Sequence, residues 1–563
     1  MNQFGNLIGA LDAAPADRPF ITFWIDEDEH ETVTFGDFRD RARSHAARLY
    51  QQGARVGDRV VVIMPQGIAA MAAFVGAMTL GAVPAFLAYP NFKIEPSKYR
   101  SGLQGVTANL GAKVVVVDED FPEEMLDYVA LTDGAVLLRA GGKEPAGAIA
   151  PFEARVSGDS LAFIQHSAGT TGLQKGVALT HTAVLRQIGH LAEALKIDAN
   201  DRVYSWLPLY HDMGLIACFM LPMIRHLHLV IQSPLDWVMQ PESMLQIVSE
   251  CRCSLAWLPN FAFQFVPRRT PQSRWARYDL SPLRALINCS EPVRTVSMRE
   301  FETAFAPFGL KSGALQSSYA MAENVFAVTQ SRLGADSGPP SVCADGPQFR
   351  AAHRVVPVAE GTAGAITFSS SGRLLPNHEV RIASDAGDLL ADGHVGEIQV
   401  KSDCLFQGYY NRPDLTAEAM VDGWYCTGDL GFRLGGELYV VGRKKDLLIV
   451  GGENLYPQDI EEIVCAHPAI HDGRGIALGL YNADLGTEDI VVVAEVERDE
   501  SLANAAAIER ELRSQVVAGL GVAVRTIFLK PPKWIVKSTA GKAARAATRD
   551  KLLNEHPELN GQS

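Results

Sequence analysis

Short, wholly apolar runs set between longer helical stretches restrict this chain more than any other feature. VVVIM (60–64), VVVV (114–117), LAFIQ (161–165), HLVIQ (228–232) and LRALIN (283–288) read as buried strands. His181 to Lys196 and Pro241 to Cys251 read as intervening helices. That alternation predicts parallel α/β layers through the first two thirds of the chain. After about Ala363 the strands shorten, with HEVRI and GEIQV separated by Gly and Asp, which predicts a β-rich subdomain. From Lys445 onward, DLLIV, a helix starting at Pro457, GIALGL, DIVVVAEVE and a helix around Ile508 to Ala518 form a small α+β set. A length of 563 residues suits several packed subdomains better than one core. The polar tail after Leu552 is expected to fray.

Composition removes several function classes. A formal charge of -14 argues against a general nucleic-acid binder, because phosphate backbones demand positive charge. The eight cysteines are scattered without a CxxC pair, so neither a disulfide framework nor a structural zinc site is expected. Gly67 to Tyr89 carries no charge and is long enough to span a membrane. It is rich in Ala and Gly and broken by Gly81 and Pro84, so a buried helix from about Gln66 to Leu80 and a short strand fit better. The N-terminus lacks the basic and apolar pattern of a signal peptide. A cytoplasmic protein without a membrane span is the expectation.

After LAFIQ comes His166-Ser-Ala-Gly-Thr-Thr-Gly-Leu-Gln-Lys-Gly176. Small residues let a backbone turn sharply and bring amides and hydroxyls onto phosphate oxygens, and Lys175 adds a positive charge. The spacing differs from the common P-loop, because Gly169 and Gly172 are three apart and Lys175 follows three further on.

Seven motifs in order, SAGTTGLQKG, WLPLYHDMGL (206–215), NCSEPVR (288–294), SSYAMAE (317–323), WYCTGD (424–429), GRKKDLLIVGGENLYP (442–457) and KSTAGK (537–542), resemble those of the adenylate-forming superfamily. HDMGL, PNFAF (259–263), SEPVR and NLYPQDIE most resemble its fatty acyl-AMP ligases, and GGEN (451–454) resembles the acyl-CoA synthetases. The resemblance implies an AMP-forming ligase that joins a carboxylic acid to ATP, with Mg²⁺, as acyl-AMP and pyrophosphate. The acceptor it implies is an acyl carrier protein phosphopantetheine thiol, with CoA as the alternative. It implies a large N-terminal domain over 1–444, carrying an insertion-like segment at about 327–371, and a small mobile domain over 445–563.

Residue roles follow from the same resemblance. Ser167, Thr170, Thr171 and Lys175 are expected to hold the β- and γ-phosphates. Ser290, Glu291, Pro292, Ser318, Ala320 and Met321 are expected beside the nucleotide, with Tyr319 stacked on adenine. Glu323 is expected to help bind Mg²⁺, Asp429 to accept from the ribose hydroxyls and Arg443 to lie near ribose and phosphate. Lys542 is expected to bridge the acid and the α-phosphate, with the domains turning about a hinge at Lys445. His211, Asp212, Met213, Trp257, Asn260 and Phe261 are expected to line the acid pocket. Ala217-Cys218-Phe219 and Trp257 are expected to shorten that pocket, favouring medium-chain, branched or ring-bearing acids. The resemblance argues against an amino-acid substrate, because peptide-synthetase domains place an aspartate where His211 falls and a one-residue register change is expected to point the adjacent Asp212 elsewhere. The basic stretch of Lys530, Lys533, Lys537, Lys542, Arg545, Arg549 and Lys551 is a candidate surface for an acidic carrier or CoA. A scaffold without catalysis is the competing class, and it has no need of Lys175, Glu323, Asp429 and Lys542 together.

Overall fold

The computed structural model describes residues 4–90, 96–131, 134–140, 156–166, 175–334, 338–450, 453–482, 487–537 and 543–559. Two largely parallel sheets build the N-terminal part. In the smaller, Arg59–Ile63 is flanked by Val83–Phe86 and Val114–Val117, with Val136–Arg139 beyond, all parallel. Val60, Val62, Val114 and Val116 face a core shared with the helices Phe35–Gln51 and Ile68–Leu80. Val61, Ile63, Val115 and Val117 face a second core that includes Leu103, Val106 and Leu110 of the helix Pro96–Leu110. Both faces of each strand are covered, which is why the sequence runs are continuously apolar.

The helix Ile68–Leu80 is buried along nearly its whole surface. It and Val83–Phe86 account for the uncharged stretch from Gly67 to Tyr89, and no described helix is long and apolar enough to cross a membrane. Gly76 lets this helix touch its neighbour: a Cβ there would lie 2.6 Å from both the Ala42 carbonyl oxygen and the His45 Cβ.

The larger sheet runs Leu315–Ser317, Ala285–Asn288, Leu255–Leu258, Arg202–Ser205, His228–Gln232, Pro19–Trp24 and His30–Thr34. Its neighbours are parallel except the last pair, which is antiparallel. Leu161–His166 departs from the predicted parallel layers. It pairs antiparallel with Gly176–Thr180, which pairs antiparallel with Gly408–Tyr409. The residues between the first two strands connect them too closely for a helical crossover.

The β-rich subdomain is antiparallel: His378–Ala383, Gly396–Ser402, Trp424–Leu434 and Glu437–Arg443 lie in sequence order, with Met420–Val421 also on Trp424–Leu434. Ala327, Val328, Thr329, Ser370 and Ser371 are core residues, and between them lie the paired strands Ser341–Asp345 and Ala365–Ser369 and the helix Gly346–Ala352.

The C-terminal unit pairs Ile470–Asn482 antiparallel with Thr487–Val496, and Thr526–Lys530 parallel to the latter. Ile460, Val464, Val492, Leu512 and Val516 close its core against the helices Pro457–Cys465 and Ala505–Leu520. As far as the described residues reach, the tail after Leu552 is ordered and not frayed as expected: the helix Arg545–Glu555 ends in a turn at Pro557–Leu559, and Trp534 Nε1 donates to Glu555 at 2.9 Å. All eight cysteines are free.

Candidate functional site

Four neighbouring strands of the larger sheet end where a motif begins. Arg202–Ser205 leads into Trp206, Leu255–Leu258 into Pro259, Ala285–Asn288 into Cys289 and Leu315–Ser317 into Ser318. Parallel strands present all their carboxyl ends on one edge, and ligands bind outside that edge. Sequence segments far apart therefore meet there.

Glu323 sits at the centre. It is buried in the turn Ala322–Asn324, and Tyr409 Oη donates to its Oε1 at 2.8 Å. Tyr425 Oη lies 3.2 Å from Tyr409 Oη, and Phe406 packs against both rings. Burial holds the Glu323 carboxyl above its ordinary range, the Tyr409 hydrogen bond opposes the rise, and nearby Asp212 adds to it. Val325 follows with φ of 62°, ψ of −53° and a Phe326 N to Asn324 O bond of 2.6 Å. That is the rare positive-φ γ-turn, a strained conformation for a β-branched residue. Asn324 fixes the turn by donating to the Ala327 carbonyl at 2.8 Å and accepting from Ser402 Oγ at 2.5 Å. Met321 N to Phe326 O at 2.9 Å and the Ala320–Ala327 bridge close it.

Lys175 Nζ stands 4.5 Å from the centre of the Tyr409 ring, so Lys175 and Glu323 share one tyrosine. His166, at the end of its strand, is buried, and its ring nitrogens have no partner among the described residues. Burial pushes it down to about 4, so it is neutral at pH 7.

On the neighbouring wall Tyr319 Oη donates to Asp429 Oδ2 at 2.6 Å, and Arg443 Nε lies 3.3 Å from Asp429 Oδ1. Asp429 and Arg443 face each other in strand register. Asp429 retains lone pairs on both oxygens for a further donor. Arg443 is followed by the turn Lys444–Asp446. There, desolvation and the nearby cations Arg443 and Lys175 push the Lys445 ammonium below its ordinary range. The expected hinge therefore also adds positive charge beside Lys175.

The segment after Trp206 continues into a π-helix, Met213–Met220, that the sequence does not announce. Gly214 permits its start, because a Cβ there would lie 2.2 Å from the Pro208 carbonyl oxygen. His211 Nδ1 and Asp212 Oδ1 are 2.7 Å apart. Ser290 Oγ reaches Met213 Sδ at 3.8 Å, joining this segment to the SEPVR turn, where Ser290 has φ of 70°. Phe219 packs on Phe20 and Phe38 in the N-terminal core. Trp257 is a core residue of the larger sheet. It lies two residues beyond the Leu255–Val203 pair, level with Ser205, whose hydroxyl meets Cys218 of the π-helix. The indole is fully buried on that face, and Nε1 has no partner among the described residues.

Other predicted residues have structural work. Asn260 Oδ1 accepts from Asn288 at 2.9 Å and from Arg294 N at 3.0 Å, and its amide donates to Ser297 at 3.1 Å. Glu291 accepts from Phe261 N at 3.0 Å, and Ser318 donates to the Thr329 carbonyl at 2.7 Å. Phe261 is 43% exposed beside the stacked pair Trp206–Trp237. Pro292 is exposed. Ser167, Thr170, Thr171 and Lys542 lie outside the described residues. Sequence reading missed Tyr409 and Tyr425, whose importance depends on a carboxylate 86 residues or more away.

A family model described as AMP-binding enzyme matches residues 10–410. The chain belongs to that family. Among similar proteins, the long-chain-fatty-acid–AMP ligase FadD26 of Mycobacterium bovis is 31% identical over 563 residues, covering 93% of this chain and 92% of the relative. The 4-hydroxyphenylalkanoate adenylyltransferase of Mycobacterium tuberculosis is 29% identical over 559 residues, covering 93% and 87%. A solved structure from a study of fatty acyl-adenylate ligases from E. coli and L. pneumophila matches with a TM-score of 0.90 at 27% identity, covering 99% of both chains. Within the AMP-binding enzyme fold, Glu323 suits a hard cation: it is a buried carboxylate whose charge Asp212 opposes, so a divalent ion there relieves an excess of negative charge.

Proposed function

We propose that this AMP-binding enzyme joins a carboxylic acid to ATP as acyl-AMP, and then passes the acyl group to the phosphopantetheine thiol of a carrier protein. The observation that carries the reading is the convergence of Lys175, Tyr409 and Glu323 beside Tyr319, Asp429 and Arg443. In the first step a carboxylate oxygen attacks the α-phosphorus, forming the mixed anhydride as the bond to the β-phosphate breaks and pyrophosphate leaves. Two unit negative charges about 4 Å apart repel by about 1 kcal/mol in water and by more in a drier site. Lys175, Lys445 and Lys542 supply opposing charge, and Arg443 and Asp429 orient the ribose end. Mg²⁺ held at Glu323 supplies further charge neutralisation when bound.

Trp257 favours a shorter or ring-bearing acid over a long straight chain, because its indole fills the space between sheet and π-helix. The internal use of much of the C-terminal basic run supports a restricted acceptor surface. Lys530 bonds Glu555, Lys551 bonds the Trp534 carbonyl and Arg545 bonds Glu461. A cytoplasmic site of action follows from the need for ATP.

The test is incubation with ATP, Mg²⁺ and a panel of acids, with hydroxylamine trapping of the adenylate. CoA and holo-carrier protein are then supplied side by side, and thioesters are identified by mass spectrometry. Acid-dependent pyrophosphate release with thioester on the carrier is expected. Lys542→Ala is expected to lower adenylate formation about 100-fold while still binding ATP. Absence of pyrophosphate with every acid would leave the scaffold reading standing.

A further inference from the structure

Away from the nucleotide walls, the helix His181–Ala194 meets the end of the strand Gly396–Ser402 at three metal-ligating side chains. His190 Nε2 lies 3.0 Å from Asp403 Oδ1, and the Cys404 thiol donates to the same oxygen at 3.3 Å. The three ligating atoms all lie within 4.8 Å of one another. The other carboxylate oxygen is held from outside: Asn377 Nδ2 donates to Oδ2 at 3.1 Å, and Arg186 Nε is 3.9 Å from it. Arg186 also donates to the Asp403 carbonyl at 3.2 Å. Oδ1 thus faces His190 and Cys404 while the rest of the aspartate is fixed by its neighbours, the arrangement by which outer groups orient a metal ligand.

We propose that His190, Asp403 and Cys404 form a three-ligand site for a Zn²⁺-like transition-metal ion, with a solvent molecule as the fourth ligand. Tetrahedral coordination at ordinary Zn–N, Zn–O and Zn–S lengths sets ligands about 3.3 to 3.6 Å apart. The observed 3.0 and 3.3 Å belong to the hydrogen-bonded, metal-free triad, and a spread of a few tenths of an ångström admits the ion. Imidazole, thiolate and one carboxylate select Zn²⁺ over Mg²⁺, which takes oxygen ligands in an octahedron. Binding releases the thiol proton to solvent and takes the neutral imidazole through Nε2. The His190 and Asp403 side chains are 13% and 29% exposed, which gives the ion a path in.

The position gives the site a consequence. Ser402, one residue before Asp403, bonds Asn324 at 2.5 Å, and Phe406 N donates to the Glu323 carbonyl at 2.8 Å. His378, whose ring is edge-on to His190 at 5.7 Å, bonds Asn324 at 2.8 Å. An ion here staples the helix to the segment that holds the Glu323 turn.

The experiment titrates the full-length, metal-free protein with Co²⁺ alone and then with Zn²⁺. One equivalent of Co²⁺ is expected to give a thiolate-to-cobalt charge-transfer band that Zn²⁺ abolishes. Zn²⁺ is also expected to raise Tm, because it binds the folded state. Cys404→Ser is expected to remove the band and the Tm rise, and His190→Ala to weaken Co²⁺ binding by at least about tenfold. Both variants are checked for wild-type circular dichroism, and His190→Ala carries the test if Cys404→Ser fails to fold. No thiolate band in the wild type, or an equal band in both variants, overturns the proposal.

Discussion

At the residue scale, Glu323 is a charge that its surroundings oppose. Burial and Asp212 raise its pKa, and Tyr409 only partly offsets them. A carboxyl raised in the folded state contributes most stability below its unfolded pKa and loses it as pH rises through the folded pKa. Glu323→Gln is therefore expected to raise the ligand-free Tm at pH 8, with the gain vanishing near pH 4, about the ordinary glutamate value. The same variant is expected to lose roughly 100-fold or more in acid-dependent pyrophosphate release. A lower Tm at pH 8 would remove the claim that the carboxylate is held against its own preference. Tyr409→Phe tests the opposing bond. Without that donor the Glu323 pKa rises further, so the acid limb of the rate profile is expected at higher pH than in the wild type. An unmoved limb would mean that Glu323 is not the group that titrates there.

At the element scale, strain and filling set what the site accepts. Val325 holds a positive-φ γ-turn next to Glu323, a conformation costing about 1 to 3 kcal/mol for such a residue. Val325→Gly is expected to destabilise by about 2 kcal/mol or more, since the lost packing of a fully buried side chain and glycine's extra chain entropy outweigh the relief of strain. Activity is expected to fall about tenfold as the turn loosens; unchanged kcat would show that the strain is incidental. Trp257→Leu opens space between the sheet and the π-helix, at a cost of about 2 to 5 kcal/mol for a truncated core aromatic. The preferred acid is expected to lengthen, read as kcat/KM across a chain-length series, and an unchanged order would place the acyl path elsewhere. These elements also mark what was legible beforehand. Val114–Val117 and His228–Gln232 match their sequence runs because both faces of a covered strand must be apolar. Glu323, Tyr319 and Asp429 were legible through ordered motifs. The π-helix was not, because MGLIACFM has the apolar content of any buried helix and its hydrogen-bond offset leaves no compositional mark. The packing of Phe219 on Phe20 and Phe38 was not legible either, because the residue's size does not say which side of the π-helix it faces. Tyr409 escaped because a hydroxyl's partner across the fold is set by topology, not by spacing.

At the scale of the whole molecule, the C-terminal unit rests on the larger part through a contact that should respond to pH. Arg294 bonds Glu462 and reaches the Gln458 carbonyl, Arg268 bonds Glu300 and Asp472, and Phe349 packs on Tyr456 with ring centres 5.9 Å apart. Asp459, on the same helix as Glu462, is pushed up to about 6 by burial, with Arg294 and Arg350 opposing the rise and Glu461 adding to it. Undocking returns that carboxyl to water, where it ionises at its ordinary value. The docked arrangement is thus favoured while Asp459 is protonated, and loses that advantage as pH rises through about 6. The exposed ion pairs nearby weaken with salt. In the proposed two-step reaction, a C-terminal unit that turned between steps would gain from a contact this marginal. The expected result is a radius of gyration, from solution scattering at constant ionic strength, that grows between about pH 5 and 7.5 in the wild type. Asp459→Asn, neutral throughout, is expected to stay compact across the range and to slow thioester formation more than adenylate formation. If the variant expands with pH as the wild type does, Asp459 is not the group that governs docking.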